Sequence, residues 1–397
     1  MADLHQRIKD EAAAIFEQVR GFRRHLHQHP ELSFQEYQTS QYIQEQLKKM
    51  NIPFQTGFAE NGVVALVEGK NAGKNIALRA DIDALPIEEE NKVSYCSANK
   101  GVMHACGHDA HTASLLGTAH LLHKLSDYWQ GSVKFVFQPA EEKAPGGASL
   151  MIRDGVLKNP TPHYMLAQHA HPPLEVGKVG FRAGMAMASA DEIYITIKGK
   201  GGHAATPQLV IDPVLISAHL VVALQQIVSR RADPTVPSVL SFGKINSQGG
   251  YNNIIPDAVK IEGTFRTFDE KWRFEAHRLI RYQAETLCAA MDAECEVNIV
   301  VGYPYLFNNE ALTLKAKNAA IAFLGEENVV DIPMRMGAED FAYYSQQVDS
   351  CFYRLGIRNE AKGIISNLHT PTFDIDEKAL ETGVGLMSWL AISLLQS

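Results

Sequence analysis

Cysteine is scarce in this chain and odd in number. Five in 397 residues (Cys96, Cys106, Cys288, Cys295, Cys351) argue against a disulfide scaffold. Basic charge is not in excess either: 37 Lys and Arg face 45 Asp and Glu, for a formal net charge of −8. The positive surface that nucleic acid requires is therefore not expected. No apolar run is expected to span a bilayer, and the opening MADLHQRIKDEAAAIFEQVR has no signal-peptide apolar stretch. Repeats and low-complexity segments are absent. Together these absences set the expectation of a cytoplasmic protein with a small-molecule partner, no nucleic acid and no membrane. What the chain does have is core material, 46% hydrophobic against 21% charged. Its length exceeds one ordinary core, so two domains are expected.

The opening segment reads as a helix with Leu4, Ile8, Ile15, Phe16 and Val19 near one face. In FRRHLHQHPELSFQEY, Ser33 and Glu36 have capping-box spacing for a helix through about Met50. His25, His27 and His29, just before Pro30, are read as helix-entry residues. A hairpin around VVALVEG, a strand NIALRAD, a helix from near Asp109 and strands SVKFVFQ and HYMLAQ follow. Apolar strands separated by helices predict an α/β domain with a largely parallel central sheet flanked by helices. Near Gly184 the pattern changes. The next elements run strand, helix opening at Asp212-Pro213, two strands, helix and strand. That βαββαβ order is a self-sufficient small domain, placed at 187–301 and inserted between 1–186 and 302–397.

Candidate chemistry collects at strand ends, where open α/β sheets build their sites. NIALRAD ends at Asp81 and Asp83, SVKFVFQ runs into Glu141 and Glu142, and HYMLAQ ends at His169 and His171. MHACGHDAH adds His104, Cys106, His108, Asp109 and His111. A lone Cys-x-His is more often a buried thiol beside solvated histidines. Here the crowd of such residues just after an Asp-x-Asp strand end favours a metal centre. A Cys–His nucleophile is the other functional reading, but it leaves the glutamates without a task. Neighbouring residues on extended backbone face opposite ways, so one glutamate could bind metal while the other moves protons. Metal-assisted hydrolysis needs that division of labour. His104 and His171 are read as supporting or structural. Glu339 and Asp340 are expected near the site, with no role assigned.

At these residues the chain resembles the M20 metallopeptidase family, in its aminoacylase-like branch of auxin-conjugate, hippurate and N-acyl-amino-acid hydrolases. The resemblance runs through RRHLHQHPELSFQEY, LRADIDALPIEE, MHACGHDAHTASLLGTA, FQPAEE, GKGGHAATP, NIIPDAVKIEGTFR, MGAEDFAYY and LHTPTFDID, in that order. It implies metal ligands Cys106, His108, Glu142, His169 and His369, with the cysteine bridging two divalent ions. It implies Glu141 as general base and Asp83 as the acidic residue behind the cluster. By the same resemblance, His203 stabilises an oxyanion in a neighbouring subunit's site, and Asn253 and Arg266 hold the substrate's carboxylate. For Arg266, bidentate guanidinium–carboxylate pairing suits that role. The inserted domain is then a lid and dimerisation domain, and the substrate an N-acyl amino acid. Many relatives have a ligand histidine where this chain has Asp81. Thiolate, imidazole and carboxylate together suit Zn, Mn, Co or Ni. A dipeptidase or aminopeptidase and a non-catalytic binding protein remain alternatives.

Overall fold

The computed structural model describes residues 2–396. In chain order, the first elements are α1 (Ala2–Ala14), α2 (Phe16–Gln28), α3 (Tyr37–Lys49), β1 (Phe54–Gly57), β2 (Glu60–Glu68) and β3 (Asn71–Asp81). Then come α4 (His108–Lys124), β4 (Gln130–Gln138), α5 (Gly147–Arg153), β5 (Tyr164–Glu175) and β6 (Val179–Phe181). The middle holds β7 (Asp191–Lys198), β8 (Gly202–His203), α6 (Pro213–Gln226), β9 (Ser238–Gln248), β10 (Ile254–Ile255), β11 (Ala258–Thr267), α7 (Glu270–Ala289) and β12 (Glu294–Val301). The chain returns through α8 (Glu310–Leu324), β13 (Val329–Asp331), β14 (Ser350–Arg358) and α9 (Ala379–Leu395).

These elements form two compact units. The larger runs up to Ala186, then Phe307–Met334, then from Asp340 onward; the smaller is Met187–Leu306 with Arg335–Glu339. In the larger unit an eight-stranded sheet has the order β1-β2-β4-β3-β5-β14-β6-β13. Its four central strands, β4, β3, β5 and β14, are mutually parallel. Both α4 and α9 are buried nearly all round, which is why their sequences are apolar without a clear stripe. The expected α/β layering is what the chain adopts. In the smaller unit β9-β11-β7-β12 form an antiparallel sheet, and Asp212 caps α6 by accepting from the Val214 and Leu215 amides.

Three local expectations are corrected. The opening helix is two helices, interrupted at Ile15 (φ −91°, ψ 3°) with neither Gly nor Pro to announce the break. The strand expected to end before His169 continues to Glu175, because β14 pairs with it through His169 and His171, whereas β3 pairs only as far as Ala167. Finally, Pro213–Arg231 is long and apolar enough, by length and composition, to cross a membrane, with mean hydropathy 1.3 over 18 of its 19 residues. Its Ile216, Leu220, Leu224 and Ile227 are nonetheless buried in the core of the smaller unit, so its apolar content serves packing there.

Candidate metal centre

Parallel strands β3 and β4 end together, with Asp81 in register with Gln138. Their carboxyl ends and the α4 N-terminus bring the candidate ligands of the larger unit to one place. Cys106 Sγ lies 3.5 Å from His169 Nε2. Gly107 separates Cys106 from His108 in a left-handed turn (φ +86°), and a Cβ there would meet Ala170 Cβ at 2.9 Å. That turn lets the thiol and the imidazole approach one another. Glu142 Oε1 lies 3.2 Å from His369 Nε2 and 3.9 Å from His108 Nε2. His369 itself has φ +61°, held by its amide donating to Ala105 O at 2.8 Å.

Cys106, His108 and His169 offer donor atoms within 4.8 Å of one another, and so do Cys106, Glu142 and His369. The thiol is common to both groups. Glu141, also buried, offers an oxygen within 4.8 Å of donor atoms on His108 and Glu142.

Surrounding groups fix these side chains. His108 Nδ1 donates to Asp83 O at 2.9 Å and lies 3.2 Å from Asp83 Oδ1, which turns its Nε2 toward Glu142. His111 uses both nitrogens: Nδ1 donates to Asp81 Oδ1 at 2.6 Å, and Nε2 accepts from the Ala170 amide at 2.7 Å. It is therefore an orienting residue and not a free ligand. Arg79 neutralises Asp81 (2.6 Å) and Asp340 (2.8 Å) and also donates to Gln138. Asp340 thus belongs to the frame of the site, and Arg79 is a contributor the sequence reading passed over. An arginine two residues before the Asp-x-Asp end was the available signal.

The electrostatics call for positive charge. Burial pushes the Cys106 thiol well above its usual value, and Glu142, Glu141 and Asp81 push it further. Burial works against a charged His108, yet Asp81, Asp83 and Glu142 outweigh it and raise its pKa to about 10. His169 is held neutral by burial and by Arg354. His108 Nε2 and Glu142 Oε1 are buried without a hydrogen-bond partner, a costly condition unless something satisfies them. These orphaned imidazole and carboxylate atoms beside the Cys106 sulfur fit divalent cations such as Zn, Co, Ni or Mn.

His27 is not a simple helix-entry residue. Buried, its Nδ1 lies 2.8 Å from Asp109 Oδ2 and its Nε2 3.1 Å from Glu89, while Arg23 pairs with Asp109 at 2.7 Å and with Asp374 at 2.7 Å. This network ties α2 and the segment after His369 to the start of α4. Asp109→Asn is expected to cost about 3 kcal/mol, because it removes the fully buried carboxylate that Arg23 and His27 share and leaves Arg23 only the partly exposed Asp374 and Glu377. A denaturant midpoint equal to wild type would contradict that.

In the smaller unit His203 and Asn253 are exposed neighbours. β8 and β10 pair there, and the Ala204 amide donates to Asn253 O at 3.0 Å. Arg266 donates to Met336 O at 3.0 Å. It stands eight positions along β11 from Ala258, about 26 Å at a strand's rise. Within one chain the strand therefore keeps Arg266 apart from Asn253.

The sequence pattern of Peptidase family M20/M25/M40 matches residues 77–392. The chain belongs to this family. An N-acetyl-L-cysteine deacetylase of Bacillus subtilis (strain 168) is 42% identical over 93% of this chain and 86% of its own length. Thermostable carboxypeptidase 2 of Saccharolobus solfataricus is 38% identical, with 98% of each chain covered. A crystal structure from Bacillus subtilis, described as a dinuclear metal-binding peptidase of the M20 family, superposes with a TM-score of 0.83 at 34% identity, covering 97% of this chain and 99% of that one. This M20 protein is a metal-dependent hydrolase acting on amide bonds.

Proposed function

We propose that the protein hydrolyses the amide bond of N-acyl amino acids, using Glu141 as general base beside a two-cation centre held by Cys106, His108, Glu142, His169 and His369. The observation that carries the reading is the convergence of two donor triads on one thiol, with Glu141 beside them. Two divalent cations bound there would supply Lewis acidity, bringing a water's pKa toward about 7 and polarising the substrate carbonyl. Glu141 takes the proton of the attacking water and returns it to the leaving nitrogen. Asp83 keeps His108 in the tautomer that presents Nε2. His203 donates to the oxyanion. Arg266 pairs with the substrate carboxylate, and Asn253 assists in holding it.

The placement of His203 and Asn253 together and exposed, apart from Arg266, supports a homodimer in which each chain lends the first two residues to its partner. Mixing Glu141→Gln and His203→Ala chains, each inactive alone, is then expected to restore part of the wild-type turnover. No recovery after verified subunit exchange would reject the sharing.

The substrate class is tested by screening N-acyl amino acids, unblocked dipeptides and longer peptides against the metal-reconstituted protein, read by release of free amine. N-acetyl amino acids are expected to give the highest kcat/KM. The carboxypeptidase name of one relative keeps a peptide substrate as the second reading. Preference for unblocked peptides would decide for it.

A further inference from the structure

The Ser33–Glu36 spacing that reads as a capping box does not cap a helix. α3 starts at Tyr37 with Glu36 as its N-cap residue and without a side-chain cap bond. The Glu31 carboxylate takes over, accepting from the Gln38 and Thr39 amides at 3.2 and 2.8 Å. Ser33 and Glu36 turn toward the metal centre instead. Ser33 Oγ donates to Asp83 Oδ2 at 2.6 Å. The Glu36 carboxylate, fully buried, accepts from Asn61 Nδ2 at 3.1 Å and from the Ala140 amide at 2.8 Å.

Ala140 immediately precedes Glu141. Its φ is +53°, a left-handed conformation that a residue with a Cβ keeps only when its surroundings hold it there. Its carbonyl is held by the Gly147 amide at 2.9 Å. Its amide is held by Glu36. On the far side of Glu141, the Glu142 amide donates to Asp83 Oδ2 at 2.9 Å, so Glu142 has its own anchor. We propose that Glu36 is a positioning residue whose carboxylate keeps Ala140 left-handed and thereby aims Glu141. This rests on the reading of Glu141 as the base.

The charge on Glu36 is expensive. Burial pushes its carboxyl up to about 7, and the Asp83 charge just beyond β3 adds to this. Its own backbone amide, Asn61 from β2 and the Ala140 amide pull the other way. A carboxyl raised in the folded state stabilises the fold fully below its usual 4.5 and loses that contribution as pH rises through about 7. Above that pH the fold carries an ionised group that costs stability, an arrangement typical of functional positions.

The test compares Glu36→Ala, Glu36→Ala with Ala140→Gly, and Glu36→Gln, all with Glu141 intact. In the holoenzyme, Glu36→Ala is expected to lower kcat by about 10²-fold through misplacement of the base, with KM and metal content unchanged. Adding Ala140→Gly is expected to restore about tenfold, since glycine adopts the required φ unaided. In metal-free protein, amides of residues 140–144, 146 and 147 are expected to exchange faster in Glu36→Ala. Glu36→Gln, whose one carbonyl oxygen can still accept from the Ala140 amide, is expected to lose less kcat than Glu36→Ala. Wild-type kcat in Glu36→Ala, loss of kcat that glycine does not restore, unchanged amide exchange, or a loss in Glu36→Gln as large as in Glu36→Ala would overturn the proposal. Wild-type turnover in Glu141→Gln would instead remove the base assignment beneath it, whatever Glu36 does.

Discussion

Glu141→Gln is expected to lower kcat by about 10³-fold, within the range a positioned general base contributes, while metal content stays at the wild-type level. The physical case lies in the different surroundings of the two adjacent glutamates. Glu142 presents an orphaned oxygen to His369 and His108, as a ligand would. Glu141 is buried beside the same donors, and its neighbour Ala140 carries the left-handed turn that separates it from the strand direction of β4. Gln keeps the volume and one acceptor oxygen but cannot take a proton from water. Losing only proton transfer, the variant should bind substrate with nearly unchanged KM. Elemental analysis beside steady-state kinetics on an N-acetyl amino acid reads both halves. A variant that turned over at the wild-type rate would transfer the base role elsewhere. One that lost its metal would make Glu141 a ligand.

Much of this architecture is legible in the sequence because it rests on local pattern. Apolar strands, the Asp212-Pro213 helix start and the Cys-x-His turn each announce themselves within a few residues. The long-range pairings do not. Ser33 and Glu36 have the same spacing whether they cap α3 or reach Asp83 and Ala140, and only the packing of α3 against β2 decides between them. Arg79 reads as one charge in an apolar strand until Asp340, far along the chain, comes to meet it. Ile15 interrupts a continuous periodicity without a breaking residue. His369 is the extreme case. Its left-handed backbone and its approach to Glu142 have no sequence signature, and only the family resemblance singled it out.

Cys106→Ser is expected to remove metal and activity together. Cys106 is the residue that the His108–His169 group and the Glu142–His369 group share, so losing it weakens both. In metal-free protein the thiol is held protonated by burial and by Glu142, Glu141 and Asp81. Metal binding there would have to expel that proton, and the thiolate would then balance cationic charge. A serine hydroxyl has a shorter bond and does not ionise near neutral pH, so neither its reach nor its charge replaces the sulfur. Loss of a group that merely orients a ligand costs about 10- to 100-fold in metal affinity. Loss of a donor common to two triads should exceed about 100-fold and leave the purified variant with little bound metal. A nucleophilic cysteine makes a different prediction for the same variant, namely that turnover vanishes while the remaining donors keep their metal. Mass spectrometry of wild-type protein quenched during turnover supplies the complementary reading. An acyl group trapped on Cys106 would displace Glu141 from the centre of the mechanism, whereas an unmodified thiol in a metal-loaded chain leaves proton transfer to the glutamate.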